Sequence, residues 1–307
     1  MVDFKRLLRE KLMKDFVNFL NDAHNYRVYE YPELSELTME IQDDLRTMYA
    51  TTVQEQLFIE KKYEGGGIGV SQLGKPAIIT AWDYHMGKTH NGPPSYALKR
   101  KWLDGHLFEL WVFFLLRSLG YEVEHQASVS VNAVIPNGHP DFVVTNKKGC
   151  MFVVECKHMS DSNYKQYKKK GMYNDQYITQ LALYCRALNC PGMWVIGNTD
   201  TGECMGIPFD ELQIKANETY VTRAMQVASV VTACEDFNQC LRYISLPPHQ
   251  TTRDGRRYPP PTMYAGKGVL HPAASLWKLT KNDVGQYTIL GYNYPNEAKQ
   301  YEPEWEA

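Results

Sequence analysis

Residues 139–158 read HPDFVVTNKKGCMFVVECKH, and this stretch decides the fold. His139 to Thr145 and Cys150 to His158 are rich in Val and Phe, which fit a pleated, half-buried surface. Asn146-Lys147-Lys148-Gly149 between them is a turn signal. Two strands joined by so short a turn must lie antiparallel. In the second strand, alternation places Glu155 and Lys157 on one face, with Val153 beside them. A carboxylate and an ammonium on an otherwise apolar central strand are costly to bury unless they pair or serve a site. Asp141 opens the first strand and can lie across from Glu155. Two carboxylates with a lysine suit a Mg2+-dependent hydrolase, because the carboxylates offer hard oxygen ligands and the lysine can hold or help deprotonate a water.

Working outward, Pro136-Asn137-Gly138 is another turn, and Tyr121 to Val134 alternates with period two, so a third strand is expected there and the whole reads as an antiparallel meander. A helix is expected from Tyr96 to Leu119, ended by Gly120. A basic loop follows the meander, then a helix from Asn174 to Leu188, strands at Met193–Gly197 and Glu203–Phe209, and a helix from Glu218 to Cys234. Residues 3 to 62 read mostly as helix, interrupted at Tyr31-Pro32. The Gly-rich stretch 64–69 is a flexible break. The tail from Leu246 is rich in Pro and Tyr and reads as largely irregular. The expected division is a helical arm at 1–64, a core at 65–245 and an extension at 246–307. The class is α/β (α+β), a mixed central sheet flanked by helices.

Further candidate residues stand in chain order around the central pair. Glu109 lies in the apolar helix segment LFELWVFFLL and needs a partner or a metal. His106, one turn earlier on the same side, can join a metal shell. Gln180 and Tyr184 are four apart, so they share a helix face, with Gln176 and Tyr177 one turn back. An amide and a phenol there can orient a phosphate or a water. In the loop 164–173, YKQYKKKGMY, Lys165, Lys168, Lys169 and Lys170 interleave with tyrosines, which suits phosphate contacts and stacking on unpaired bases.

This ordered set resembles the PD-(D/E)xK nuclease superfamily: Glu109 on a helix, Pro140-Asp141, Glu155-Cys156-Lys157, then a helix with Gln180 and Tyr184. The QxxxY pair is similar to that of the RecB-like exonuclease branch. The resemblance covers about residues 70 to 210 and implies a restriction-endonuclease-like core. It also implies that Asp141 and Glu155 bind Mg2+ or Mn2+, that Glu109 or His106 completes the shell, and that Lys157 assists catalysis. Gln180 and Tyr184 would orient the nucleophile or backbone, and Tyr177 with the lysines would contact DNA. Ser71-Gln72-Leu73-Gly74-Lys75 resembles the branch's entry motif, SxLxxC. Pro76 stands where iron–sulfur members carry Cys, and no cysteine cluster follows, so no iron–sulfur cluster is expected.

The chain has 307 residues, 44% hydrophobic and 22% charged. These values exclude a disordered, collagenous or coiled-coil protein. Seven cysteines, an odd number with no CxxC, point to reduced thiols. No apolar run reaches the roughly 20 residues that span a bilayer, and the expected setting is the cytoplasm of a bacterium or a phage-infected host. Gly69 to Lys75 matches the GxxxxGK pattern of a phosphate-binding loop, but Pro76 replaces the metal-binding Ser or Thr. His85 and His90 flank a Gly-containing loop without a carboxylate pattern. The net charge is −2, yet between 141 and 190 eight lysines and arginines face four aspartates and glutamates. DNA is therefore the expected partner. A second copy of the chain or a recombination or replication protein is a further candidate, and no membrane is expected. The leading expectation is a metal-dependent exonuclease for recombination, repair or degradation. The alternatives are a restriction-type or structure-specific endonuclease and a non-catalytic DNA-binding subunit.

Overall fold

The computed structural model describes residues 34–54, 67–87, 96–132, 135, 138–146, 148–244 and short runs between 250 and 292. Its elements, in chain order, begin with α1 (Leu34–Val53), α2 (Ala77–His85), α3 (Tyr96–Ser118), β1 (Glu122–His125), β2 (Phe142–Thr145) and β3 (Met151–Met159). They continue with α4 (Asp161–Lys170), α5 (Asp175–Leu188), β4 (Gly192–Asn198), β5 (Cys204–Phe209), α6 (Glu211–Ala216), α7 (Glu218–Ala233) and α8 (Phe237–Cys240). The chain groups into two compact units: Met1–Lys62 with Asn91–Val221, and Tyr63–His90 with Thr222–Ala307.

The first unit holds a five-stranded mixed sheet in the order β1-β2-β3-β4-β5. The meander is present: β1 pairs antiparallel with β2, and β2 with β3, in the register Phe142↔Val154. The pairing of β3 with β4 is parallel, which the long connection through α4 and α5 makes possible, and β4–β5 is antiparallel. This is the mixed α/β architecture expected from the sequence. Phe142, Val144, Phe152, Val154, Cys156, Met193 and Val195 turn one sheet face toward Phe108, Val112, Phe113, Leu115 and Leu116 of α3. Leu45 and Met48 of α1 pack against the same core. Each fully buried side chain of this kind contributes about 1.5–3 kcal/mol.

Opposite sheet faces carry opposite helices. A Cβ at Gly197 would stand 2.5 Å from Phe108 of α3, whereas one at Gly192 would stand 2.6 Å from Cys185 of α5. The two glycines are five positions apart, an odd offset, so they point to opposite sides of β4. Glu155 pairs in register with Trp194, two residues from Gly192, and therefore faces α5.

Several expectations are corrected. The first strand is only Glu122–His125: Gln126 adopts φ 53, which breaks the ladder, and beyond it only an isolated bridge, Val129↔Gly138, remains among the described residues. The next strand starts at Phe142 rather than His139. The basic loop is the helix α4, which starts after extended Ser160 and ends at Gly171 with φ 72. Its tyrosines were expected to be free for bases, but Tyr164 and Tyr167, three apart and so on one face, are buried. Of the expected N-terminal helices, residues 3–33 and 55–62 lie outside the described residues, and α1 covers the part between them.

In the second unit, Trp82 of α2 meets Phe237 of α8 edge-on at 5.0 Å. His85 Nε2 lies 3.1 Å from the Val231 carbonyl oxygen and 3.2 Å from Cys240 Sγ, contacts that hold the ring within this unit. His90 lies outside the described residues. Where the phosphate-loop pattern occurs, Val70–Gln72 form a single 3-10 turn, closed by the Gly69 N–H donating to Gln72 Oε1 at 2.9 Å. The tail, expected to be irregular, contains short antiparallel pairs: β6 (Gln250–Thr251) with β7 (Arg257–Tyr258), β8 (Tyr264–Gly266) with β9 (Val269–Leu270), and β10 (Trp277–Lys281) with β11 (Tyr287–Tyr292).

Candidate active site

Register alone brings the central residues together. With Phe142 opposite Val154, the next step of the ladder sets Asp141 beside Glu155. The Cys156 N–H donates to Asp141 Oδ2 at 2.7 Å, which fixes the carboxylate against β3. Glu155 is fully buried, and Lys157, two residues on along the same face, donates from Nζ to Glu155 Oε2 at 2.9 Å. The other oxygen, Glu155 Oε1, is buried with no hydrogen-bond partner. A buried acceptor left open costs free energy, so its retention points to use.

The electrostatics follow from this crowding. Burial pushes Asp141 well above the usual carboxylate range, and the charges of Glu155 and Glu109 push the same way. Burial also raises Glu155, against the opposing pull of Lys157. Burial alone would lower Lys157, but Glu155 and Asp141 outweigh it and hold the ammonium above its ordinary value. Lys157 is thus held in its charged form. Its Nζ lies 5.1 Å from the centre of the Tyr177 ring, a cation–π contact.

On α5, Asn174 caps the helix by accepting from the N–H groups of Gln176 and Tyr177. That cap sets the phase in which Tyr177, Gln180 and Tyr184 face β3. The Tyr184 hydroxyl is pushed up by burial and by the charge of Glu155, and it takes a hydrogen bond from the Gln180 side chain. Tyr184 therefore lies within electrostatic reach of the carboxylate that the register places beside Asp141, with Gln180 next to it.

Glu109 approaches from α3, the helix on the other sheet face. His106 Nδ1 lies 3.2 Å and His125 Nε2 3.7 Å from Glu109 Oε2. Burial would raise Glu109, but hydrogen bonds from the two imidazoles prevail and bring it down to about 2. Among the described residues, no group of three or more His, Cys, Asp or Glu is gathered tightly enough to hold a metal ion. The site instead offers the pair Asp141 and Glu155. An unpartnered buried carboxylate oxygen and a carboxyl raised by its neighbours fit a hard divalent cation, which relieves both.

Two residues were not singled out from the sequence. His125 ends β1 and contacts Glu109. Gln126, next to it, lies opposite Asp141: its N–H donates to the Asp141 carbonyl at 3.1 Å, and its Nε2 lies 3.4 Å from Asp141 Oδ1. Periodicity put Val123 and His125 on one strand face but gave no sign of where that strand would stop. The lysines of α4 remain at the surface. Lys165 pairs with Asp161 at 2.6 Å, Lys168 Nζ is 5.8 Å from the Tyr164 ring centre, and Lys170 Nζ is 5.3 Å from that of Tyr173.

Residues 104–197 match the nuclease-related domain (NERD) family. The matched span runs from α3 to β4 and contains Glu109, Asp141, Glu155, Lys157, Gln180 and Tyr184, and it supports a nuclease. No curated protein matches the chain. Among solved structures, the chain is similar to SSO0001, at 15% identity and a TM-score of 0.37, over 65% of this chain and 91% of that one. It is similar to an alkaline exonuclease, LHK-Exo, from Laribacter hongkongensis, at 13% identity and a TM-score of 0.33, over 61% of this chain and 95% of that one. LHK-Exo in complex with dAMP gives 16% identity and a TM-score of 0.33, over 53% and 93%. No described helix is long and apolar enough to cross a membrane.

Proposed function

We propose that the chain is a divalent-metal-dependent deoxyribonuclease of the PD-(D/E)xK kind that degrades DNA from its ends. The observation that carries the reading is Glu155: fully buried, one oxygen bonded to Lys157, the other open, and Asp141 beside it in register. Asp141 and Glu155 would hold Mg2+ or Mn2+, and Glu109 or His106 of α3 would add a third donor only by moving closer than they stand here. When bound, such an ion lowers the pKa of a water and offsets charge on the phosphate in flight. Lys157 holds a permanent positive charge where a phosphate oxygen or an attacking water has to be oriented. Gln180 donates toward the same space, and Tyr184 stays protonated and able to donate. The position of this pair on α5, facing the carboxylates, favours the RecB-like, exonucleolytic form.

The test is digestion of end-labelled single- and double-stranded DNA with Mg2+, with Mn2+ and with EDTA. Hydrolysis that requires the metal is expected, with Lys157→Ala slower by roughly two orders of magnitude. Wild-type rates from Lys157→Ala would overturn the mechanism. Covalently closed circles should survive, and cutting of intact circles would replace the exonuclease reading with an endonuclease.

A further inference from the structure

A strip of side chains leads outward from Lys157 along one side of α4 and α5. Lys157 lies over Tyr177, and Tyr177 is within electrostatic reach of the buried Tyr167. Tyr167 stacks on Tyr173, with ring centroids 4.6 Å apart and planes 16° from parallel. Tyr173 is different from the rings before it, because 43% of its surface is exposed. Its hydroxyl donates to Gln166 Oε1 at 3.2 Å, so the ring is held both by its face and by its tip. Gly171, with φ 72, ends α4 and turns the chain so that Tyr173 returns over Tyr167. Lys170 Nζ lies 5.3 Å from the centre of the Tyr173 ring.

An aromatic ring that is fixed yet still partly exposed is prepared for a flat partner, since the ordering cost has already been met. The charges beside it select that partner. Lys168, Lys169 and Lys170 are exposed at the end of α4 and suit consecutive phosphates. A planar π-face with phosphates attached is a nucleotide. In a duplex both faces of each base are already stacked, so only an unpaired base can use the ring. Lys170 can leave the ring for a phosphate, because an exposed cation–π contact is weaker than a base stack.

We propose that Tyr173, backed by Tyr167 and flanked by Lys168 to Lys170, is a stacking platform for an unpaired nucleobase of the strand entering the site. This rests on the nuclease reading and narrows its substrate to single-stranded or frayed DNA ends. The test is fluorescence anisotropy in EDTA with three labelled probes: a single-stranded oligonucleotide, the same length of abasic strand, and a blunt duplex. Wild-type protein should bind the base-bearing strand about 10-fold more tightly than the abasic one. Tyr173→Ala should erase that preference while leaving the abasic strand and the duplex unchanged, and Tyr173→Phe should preserve it. Equal wild-type affinity for the two strands overturns the platform without recourse to any variant. So does a Tyr173→Ala protein that keeps the preference. If the preference is present but Mg2+ and Mn2+ support no hydrolysis, the nuclease reading fails and the platform stands.

Discussion

Asp141 pays in stability for its position. Its folded value is raised above the ordinary 3.8 by burial, Glu155 and Glu109. A carboxyl raised in this way contributes stability that is present below pH 3.8 and lost as pH rises through its folded value. At neutral pH the charge is therefore a burden on the metal-free protein. Asp141→Asn keeps an oxygen for the Cys156 N–H and removes that burden. The variant should melt at higher temperature than wild type near pH 7 in EDTA, and the difference should fade as pH approaches 3.8. It should also lose nuclease activity and any rise in melting temperature on adding Mg2+. Thermal scans with and without Mg2+ at several pH values check all of this, and a variant that melts lower at pH 7 would contradict it. Glu155 and Lys157 were legible as a pair because alternation needs only the sequence, whereas the register was not: a four-residue turn would set Asp141 opposite Val154, and the observed pairing of Thr145 with Met151 is what carries it to Glu155. His125 was not legible. Its role depends on where β1 stops, and that depends on Gln126 taking a left-handed conformation, which no periodicity reveals.

At the level of elements, the backbone at the end of α5 nearest the site is capped by the side chain of Asn174. Asn174 accepts from two backbone N–H groups, and the second belongs to Tyr177, the ring under Lys157. Asn174→Ala should cost about 1 kcal/mol of stability, the usual value of such a cap. It should also slow cleavage more than a surface change of equal destabilisation, because the first turn of α5 carries Tyr177. Denaturant titration alongside a cleavage assay separates the two effects, and unaltered cleavage would remove Tyr177 from the site. The helices α3, α5 and α7 and the strands β3 to β5 follow their sequence patterns closely, since each buries an apolar face over several turns or residues. The segment α4 was misread for a physical reason. Its four lysines and the following glycine resemble a loop, and the helix is stabilised mainly by burying Tyr164 and Tyr167, a tertiary effect. The same burial removes those two rings from any contact with DNA. In the tail, β6 to β9 span only two or three residues and carry too few alternations to be seen.

For the whole molecule, the neutral total hides a concentration of charge. Net charge is −2, yet α4 alone carries four lysines and one aspartate. Binding to a single strand should therefore weaken steeply with salt. Each phosphate neutralised contributes about −0.7 to the slope of log K against log salt. Replacing Lys168, Lys169 and Lys170 together with Gln should flatten that slope by roughly 2 units. Anisotropy at several NaCl concentrations reads it, and an unchanged slope would place the DNA elsewhere. The division into units has a temporal consequence. Residues 63–90 and 222–307 make one unit, but 131 residues of the other unit separate them along the chain (91–221). During synthesis, the stretch bearing Asp141, Glu155 and Lys157 leaves the ribosome while 63–90 still waits for its partner. The sheet that bears them can then close first, and the second unit assembles last, once 222–307 has emerged.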